Sequence, residues 1–234
     1  MARACRILAV EGLVRDILGH VSLRVGDDRV LVRARGPEDN GLLLTRAGDV
    51  VLVDLEGFPA EDIGDHSLPQ ELPIHTAVLR RRADVAAVVH AHPTDVVVCS
   101  IAGLALEPIF GSFNIPAMRL AERGVPVYAY YGLIRERDRA EEMVAALGDE
   151  RAVVLRGHGL TAVGGNLAGA VVAALNLNAL AAMTVAVASA GGRAQPVPAA
   201  DRADLPDLGS GFNEGAVWRH HVAKLAVHDL ADVN

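Results

Sequence analysis

Val88-Val-His-Ala-His-Pro93 is the stretch on which the fold of this chain turns. Residues 84–90 are an apolar, β-branched run and read as a buried strand, which Pro93 ends because proline has no N–H to give a ladder. Residues two apart on a strand leave the same face, so His90 and His92 project together. A lone histidine in such a run is ordinarily a satisfied core residue, but two buried imidazoles on one face each need a partner. Arg156-Gly-His-Gly159 supplies a third, His158, from a turn whose glycines leave the backbone free. Three nitrogen donors with open positions beside them suit a divalent metal that polarises a small, oxygen-rich substrate.

Upstream, residues 70–82 read as a helix, with Glu71 at its start and His75 one turn on, so that both lie on one face. Glu71 is then a fourth ligand, an acid/base that moves protons, or a first-turn glutamate favoured by the helix dipole. His75 reads as structural, since a helical histidine needs one hydrogen-bond partner. Earlier still come a helix over residues 2–10 and three short strands over 20–25, 29–33 and 50–54. Turn signals at Gly26-Asp-Asp and Glu56-Gly57 separate them, which indicates antiparallel pairing.

Downstream of Pro93, Thr94-Asp95 starts another helix. Residues 125–129 form a short strand, 137–147 a helix closed by Gly148, and 152–155 a strand that runs into the His158 turn. A long apolar helix is expected directly after that turn. Next come a Pro/Asp/Gly-rich connection over 191–211 and a last helix around 218–228. This mix of sheet and helices predicts one α/β layered domain over residues 1–234, with a C-terminal helical tail at about 212–230.

The 234 residues are 51% hydrophobic and 22% charged, which is a globular composition. With 22 basic against 29 acidic residues the net charge is −7, and no basic stripe is interleaved with aromatics, so no nucleic-acid partner is expected. The start lacks an apolar run of signal-peptide length, and Cys5 and Cys99 have no metal-type spacing, so the expected location is cytoplasmic. Residues 167–190 carry no charge and are long enough to span a bilayer. Their alanine content, with Asn176, Asn178 and Thr184, instead predicts a helix buried in an oligomer interior and no membrane partner. Adjacent helical residues point about 100° apart. Arg219, His220 and His221 are therefore no metal cluster, and whether they reach an active site stays open.

Six segments together resemble the class II aldolase/adducin family: Gly19-His-Val-Ser-Leu-Arg24, Thr45-Arg-Ala-Gly48, Val53-Asp-Leu-Glu-Gly57, Pro69-Gln-Glu-Leu-Pro-Ile-His75, Val88-Val-His-Ala-His-Pro93 and Leu155-Arg-Gly-His-Gly159. The resemblance implies a three-layer α/β/α sandwich around a central, largely antiparallel sheet. It implies a homotetramer with active sites between subunits. It also implies metal ligation by His90, His92 and His158, with Glu71 as the acid/base. One divalent ion per subunit is expected, and zinc, manganese, iron and cobalt all accept such donors.

The departures from the family pattern concern the substrate. Sugar-phosphate members hold phosphate with an asparagine, a Ser/Thr-rich turn and paired serines; here those positions are His20, Thr45-Arg46-Ala47-Gly48 and Pro69-Gln70. Hydroxyl and amide donors are lost, while Arg46 offers a fork that fits a carboxylate. This resembles the decarboxylase branch, which acts on hydroxylated aromatic carboxylic acids such as dihydroxyphthalate. There the metal is expected to chelate a ring hydroxyl with the neighbouring carboxylate. The expected substrate-binding set is His20, Ser22, Arg46 and Gln70, and the expected partner is a small-molecule carboxylate. The alternative is an aldolase or epimerase acting on a sugar or sugar phosphate such as fuculose 1-phosphate.

Overall fold

Alternating burial along short strands organises the molecule. The computed structural model describes residues 1–232; the last two residues of the expected 1–234 domain lie outside the described residues. The strands are β1 (His20–Gly26), β2 (Arg29–Arg33), β3 (Val50–Val53), β4 (Ala87–Ala91), β5 (Val127–Tyr128), β6 (Ala152–Leu155) and β7 (Gly159–Gly164). They form one sheet in the order β3-β2-β1-β4-β7-β6-β5, antiparallel throughout except for the β5–β6 pair.

The helices are α1 (Ala2–Val10), α2 (Leu72–Arg81), α3 (Thr94–Ala102), α4 (Ile115–Leu120), α5 (Arg137–Leu147), α6 (Leu167–Ser189), α7 (Ala199–Asp204) and α8 (Val217–Val227). On one face of the sheet, α2 and α5 pack over Val30, Val53, Val88 and Val163. On the other, α1, α3, α4 and α6 close over Val21, Val89, Leu160 and Ala162. Two apolar cores on opposite faces of one sheet make the α/β/α sandwich that the resemblance implies.

Period-two alternation explains why β4 is central. Ala87, Val89 and Ala91 face the α6 side, while Val88 faces the α2 side, and all five residues of the strand are buried. Small side chains on the α6 side let that helix lie close, and α6 answers with Ala170, Ala173, Ala174 and Ala181. By length and composition α6 is apolar enough to cross a membrane, yet half of its most apolar window is buried, against β7, β4, α3 and α4.

Three elements differ from the sequence expectation. The His158 turn does not lead straight into the long helix; it is the tip of a β6–β7 hairpin, and β7 is a complete central strand between β4 and β6. Its six residues are all buried and begin and end in glycine, so they show neither alternation nor β-branched enrichment. The short helices α4 and α7 also escaped notice, α7 within the segment read as a plain connection. The last helix stands where expected: α8 grows out of a π-helical turn, Gly211–Ala216, and docks on α1, where Glu11 Oε1 accepts from Lys224 Nζ at 2.8 Å and lies 3.0 Å from His221 Nδ1.

Candidate metal centre and active site

His90, His92, His158 and Glu71 converge: one ligand atom from each lies within 4.8 Å of all the others. His90 is the penultimate residue of β4 and points to the α2 face. His92 lies one step past the strand end, where its N–H donates to the Leu13 carbonyl at 3.0 Å and holds the extended path. His158 sits between Leu155 and Gly159, the pair that closes the hairpin. Gly157 adopts φ +64°, and a side chain there would strike the Tyr131 ring. A Cβ on Gly159 would lie 2.2 Å from the Ala91 carbonyl oxygen and 2.8 Å from the His92 ring. Only glycine lets the hairpin close this tightly over β4.

Glu71 is not inside α2 but immediately before it, and Pro73 in the first turn sets the helix start. The carboxylate is held at one oxygen: the Ile134 N–H donates to Oε1 at 2.8 Å. The other oxygen, Oε2, lies 3.5 Å from His90 Nε2 and 3.4 Å from His158 Nε2. Burial by itself works against its ionisation, but the contacts with His158 and His90 outweigh it and hold the carboxyl below the usual carboxylate range.

The donor set fits a metal on four counts. His90 Nδ1 lies 3.0 Å from the Leu160 carbonyl, which can only accept, so the Nδ1 carries the proton and Nε2 presents a lone pair. His92 Nε2 is 2.8 Å from that lone pair. Three nitrogens each about 2.1 Å from one cation sit roughly 3 Å apart. Both ring nitrogens of His158 are buried and, among the described residues, without a hydrogen-bond partner, an arrangement that a ligand relieves. Burial also favours neutral His90 and His92, the form that binds metal: it lowers His90, and with the neighbouring His90 and His158 it brings His92 down to about 3.

His20 lies beside this cluster. It faces His90 across the β1–β4 ladder, with ring centroids 4.8 Å apart and planes 28° from parallel. Ser22 corrects its expected substrate role: it is fully buried and its Oγ is 2.6 Å from His75 Nδ1, so it faces no ligand. Arg46 and Gln70 are exposed, and among the described residues neither side chain bonds to the histidines. Arg46 lines a separate cleft with Arg6, Arg33 and Asp39. His221 belongs to the α1–α8 contact, so within one chain it does not join the cluster.

Sequence reasoning passed over Thr161. It pairs with His90 in the β4–β7 ladder, and its Oγ1 is buried without a hydrogen-bond partner among the described residues. It passed over the backbone groups of Ile134 and Leu160 as well, which no side-chain pattern announces.

The chain matches the family described as "Class II Aldolase and Adducin N-terminal domain" over residues 1–185, and it belongs to that family. It is 50% identical over 229 residues to a 3,4-dihydroxyphthalate decarboxylase of Arthrobacter keyseri, covering 97% of this chain and 92% of that protein. Identity is 51% over 227 residues to a protein of the same name from Terrabacter sp. strain DBF63, covering 96% and 95%. An aldolase II superfamily protein from Pseudomonas syringae superposes with a TM-score of 0.81 at 26% identity, covering 97% of this chain and 90% of that one.

Proposed function

We infer that this chain is a metal-dependent carboxy-lyase acting on a hydroxylated aromatic acid of the 3,4-dihydroxyphthalate type. Near-full-length identity of about half to two decarboxylases of that substrate carries the reading. The buried cluster of Glu71 with three histidines supplies chemistry that fits it.

His90, His92 and His158 would hold a divalent ion, which would supply the Lewis acidity that stabilises charge spreading into the ring as CO2 leaves. Zinc, manganese, iron and cobalt all suit three nitrogen donors. In the overall exchange the ring–carboxylate bond breaks, its electron pair stays on the ring carbon, and a proton takes the place of CO2. Glu71 handles that proton. Ionised, it accepts a proton from a ring hydroxyl and returns it to the ring carbon, and a proton from solvent, the one consumed overall, restores the hydroxyl. The Ile134 N–H fixes Oε1, so that Oε2 does this work from one position.

His20 beside the cluster binds the carboxylate. Arg46 and Gln70, exposed on a single chain, join the site in a homotetramer whose active sites lie between subunits. Support comes from the apolar side chains of Tyr131 and Ile101, both 65% exposed. Tyr131 abuts the His158 turn, and Ile101 follows Ser100, whose Oγ accepts from Gly157 N–H at 2.9 Å. The cytoplasm suits the two buried cysteines, which are both free thiols.

Purified, metal-loaded protein incubated with 3,4-dihydroxyphthalate should release one CO2 per substrate. No CO2, together with dihydroxyacetone phosphate formed from fuculose 1-phosphate, overturns the reading in favour of an aldolase.

A further inference from the structure

Behind His20 runs a buried chain of hydrogen bonds that the metal ligands do not share. His75 Nε2 lies 2.6 Å from His20 Nδ1, and His75 Nδ1 lies 2.6 Å from Ser22 Oγ. Ser22 and His75 are fully buried, whereas His20 keeps 6% of its surface exposed. Ser22 and His20 are two apart on β1 and so leave the same face, with α2 lowering His75 between them.

The inner end fixes the direction of this chain. A serine hydroxyl has one proton to donate and lone pairs to accept with. Among the described residues, Ser22 Oγ has no hydrogen-bond partner other than His75. Were His75 Nδ1 the donor, the Ser22 proton would be buried with nothing to bond, a heavier penalty than one unfilled lone pair. Ser22 therefore donates to His75 Nδ1. Neutral His75 then carries its proton on Nε2 and donates to His20 Nδ1, which leaves the His20 proton on Nε2. That nitrogen has no protein partner among the described residues.

We propose that Ser22 and His75 are positioning residues that lock His20 as an Nε2–H donor, making it a binder of the substrate carboxylate and not a base. A donor holds a carboxylate beside the metal ligands, whereas a lone pair there would repel it. The proposal deepens the decarboxylase reading and rests on it.

Long-range 1H–15N correlation spectra of zinc-loaded protein, which is diamagnetic, read the tautomers directly. A pyrrole-type Nε2 and an imine-type Nδ1 are expected on both His20 and His75; an imine-type Nε2 on His20 overturns the proposal. Ser22→Ala frees the His75 tautomer and should raise KM for 3,4-dihydroxyphthalate about tenfold, with kcat changed far less and zinc content intact. An unchanged KM, or a loss of zinc that accounts for the defect, also overturns it. Because the spectra do not depend on turnover, expected tautomers in a protein that releases no CO2 would remove the decarboxylase reading alone.

Discussion

The two faces of the central strands β1, β4 and β7 are built from alternate residues of the same few segments, yet they do opposite things. Towards α6 stand Val21, Val89, Ala91, Leu160 and Ala162, all buried and apolar. Towards α2 stand His20, Ser22, His90 and Thr161, equally buried but polar. Apolar burial on the first face stabilises the fold outright. On the second, each buried polar atom costs free energy unless it is bonded or ligated. The α6 face is thus a scaffold, and the α2 face is a site whose stability and activity depend on its partners.

The sharpest way to break that comparison is to remove one partner. His92→Ala should lose the metal and lower kcat/KM by about a thousandfold or more, as elemental analysis and a CO2 assay would register. Retained metal with full activity would erase the distinction between the faces. Glu71→Gln keeps the shape of the side chain but not its proton chemistry. It should retain the metal and reduce kcat by about 10²- to 10⁴-fold. Full activity in that variant would remove Glu71 from the reaction.

The opposite face should respond in the opposite way. Leu160→Ala leaves intact the backbone carbonyl that holds His90 but opens a cavity under α6. Urea unfolding should report a loss of about 2–5 kcal/mol, with metal content and turnover per metal unchanged. Loss of metal there would mean that the two faces are coupled. The smallest effect is set by pH. Burial, with the nearby His90, holds His75 down to about 3, and burial, with His90 and His158, does the same to His92. Unfolded, each takes up a proton below its ordinary value of 6.5. Stability of the metal-free protein is therefore full above pH 6.5 and lost as pH falls towards 3. Urea midpoints that stay level through that window would contradict the buried, neutral imidazoles.

The clustering of the three histidines was legible in the sequence because strand alternation puts His90 and His92 on one face, and flanking glycines announce the turn that delivers His158. A layered α/β domain was legible in the mix of elements, whereas the three-layer form around a largely antiparallel sheet came from the resemblance. Alternation tells which face a residue takes but not its depth. Ser22 points to the correct face, yet it sits a layer behind His20 and meets His75 instead of a ligand. Strand β7 hid because it is buried on both faces and bounded by glycines. Arg46 and Gln70 lie exposed on a single chain, and among the described residues neither side chain bonds to the histidines.

The central claim is that three imidazoles hold one cation on the α2 face. X-ray absorption on protein purified without chelator tests it most directly. The account predicts one ion per chain, with three nitrogen scatterers at about 2.0–2.1 Å for zinc and a fall in nitrogen count in His158→Ala. A chain without a bound ion, or a shell of oxygen or sulfur alone, would contradict it.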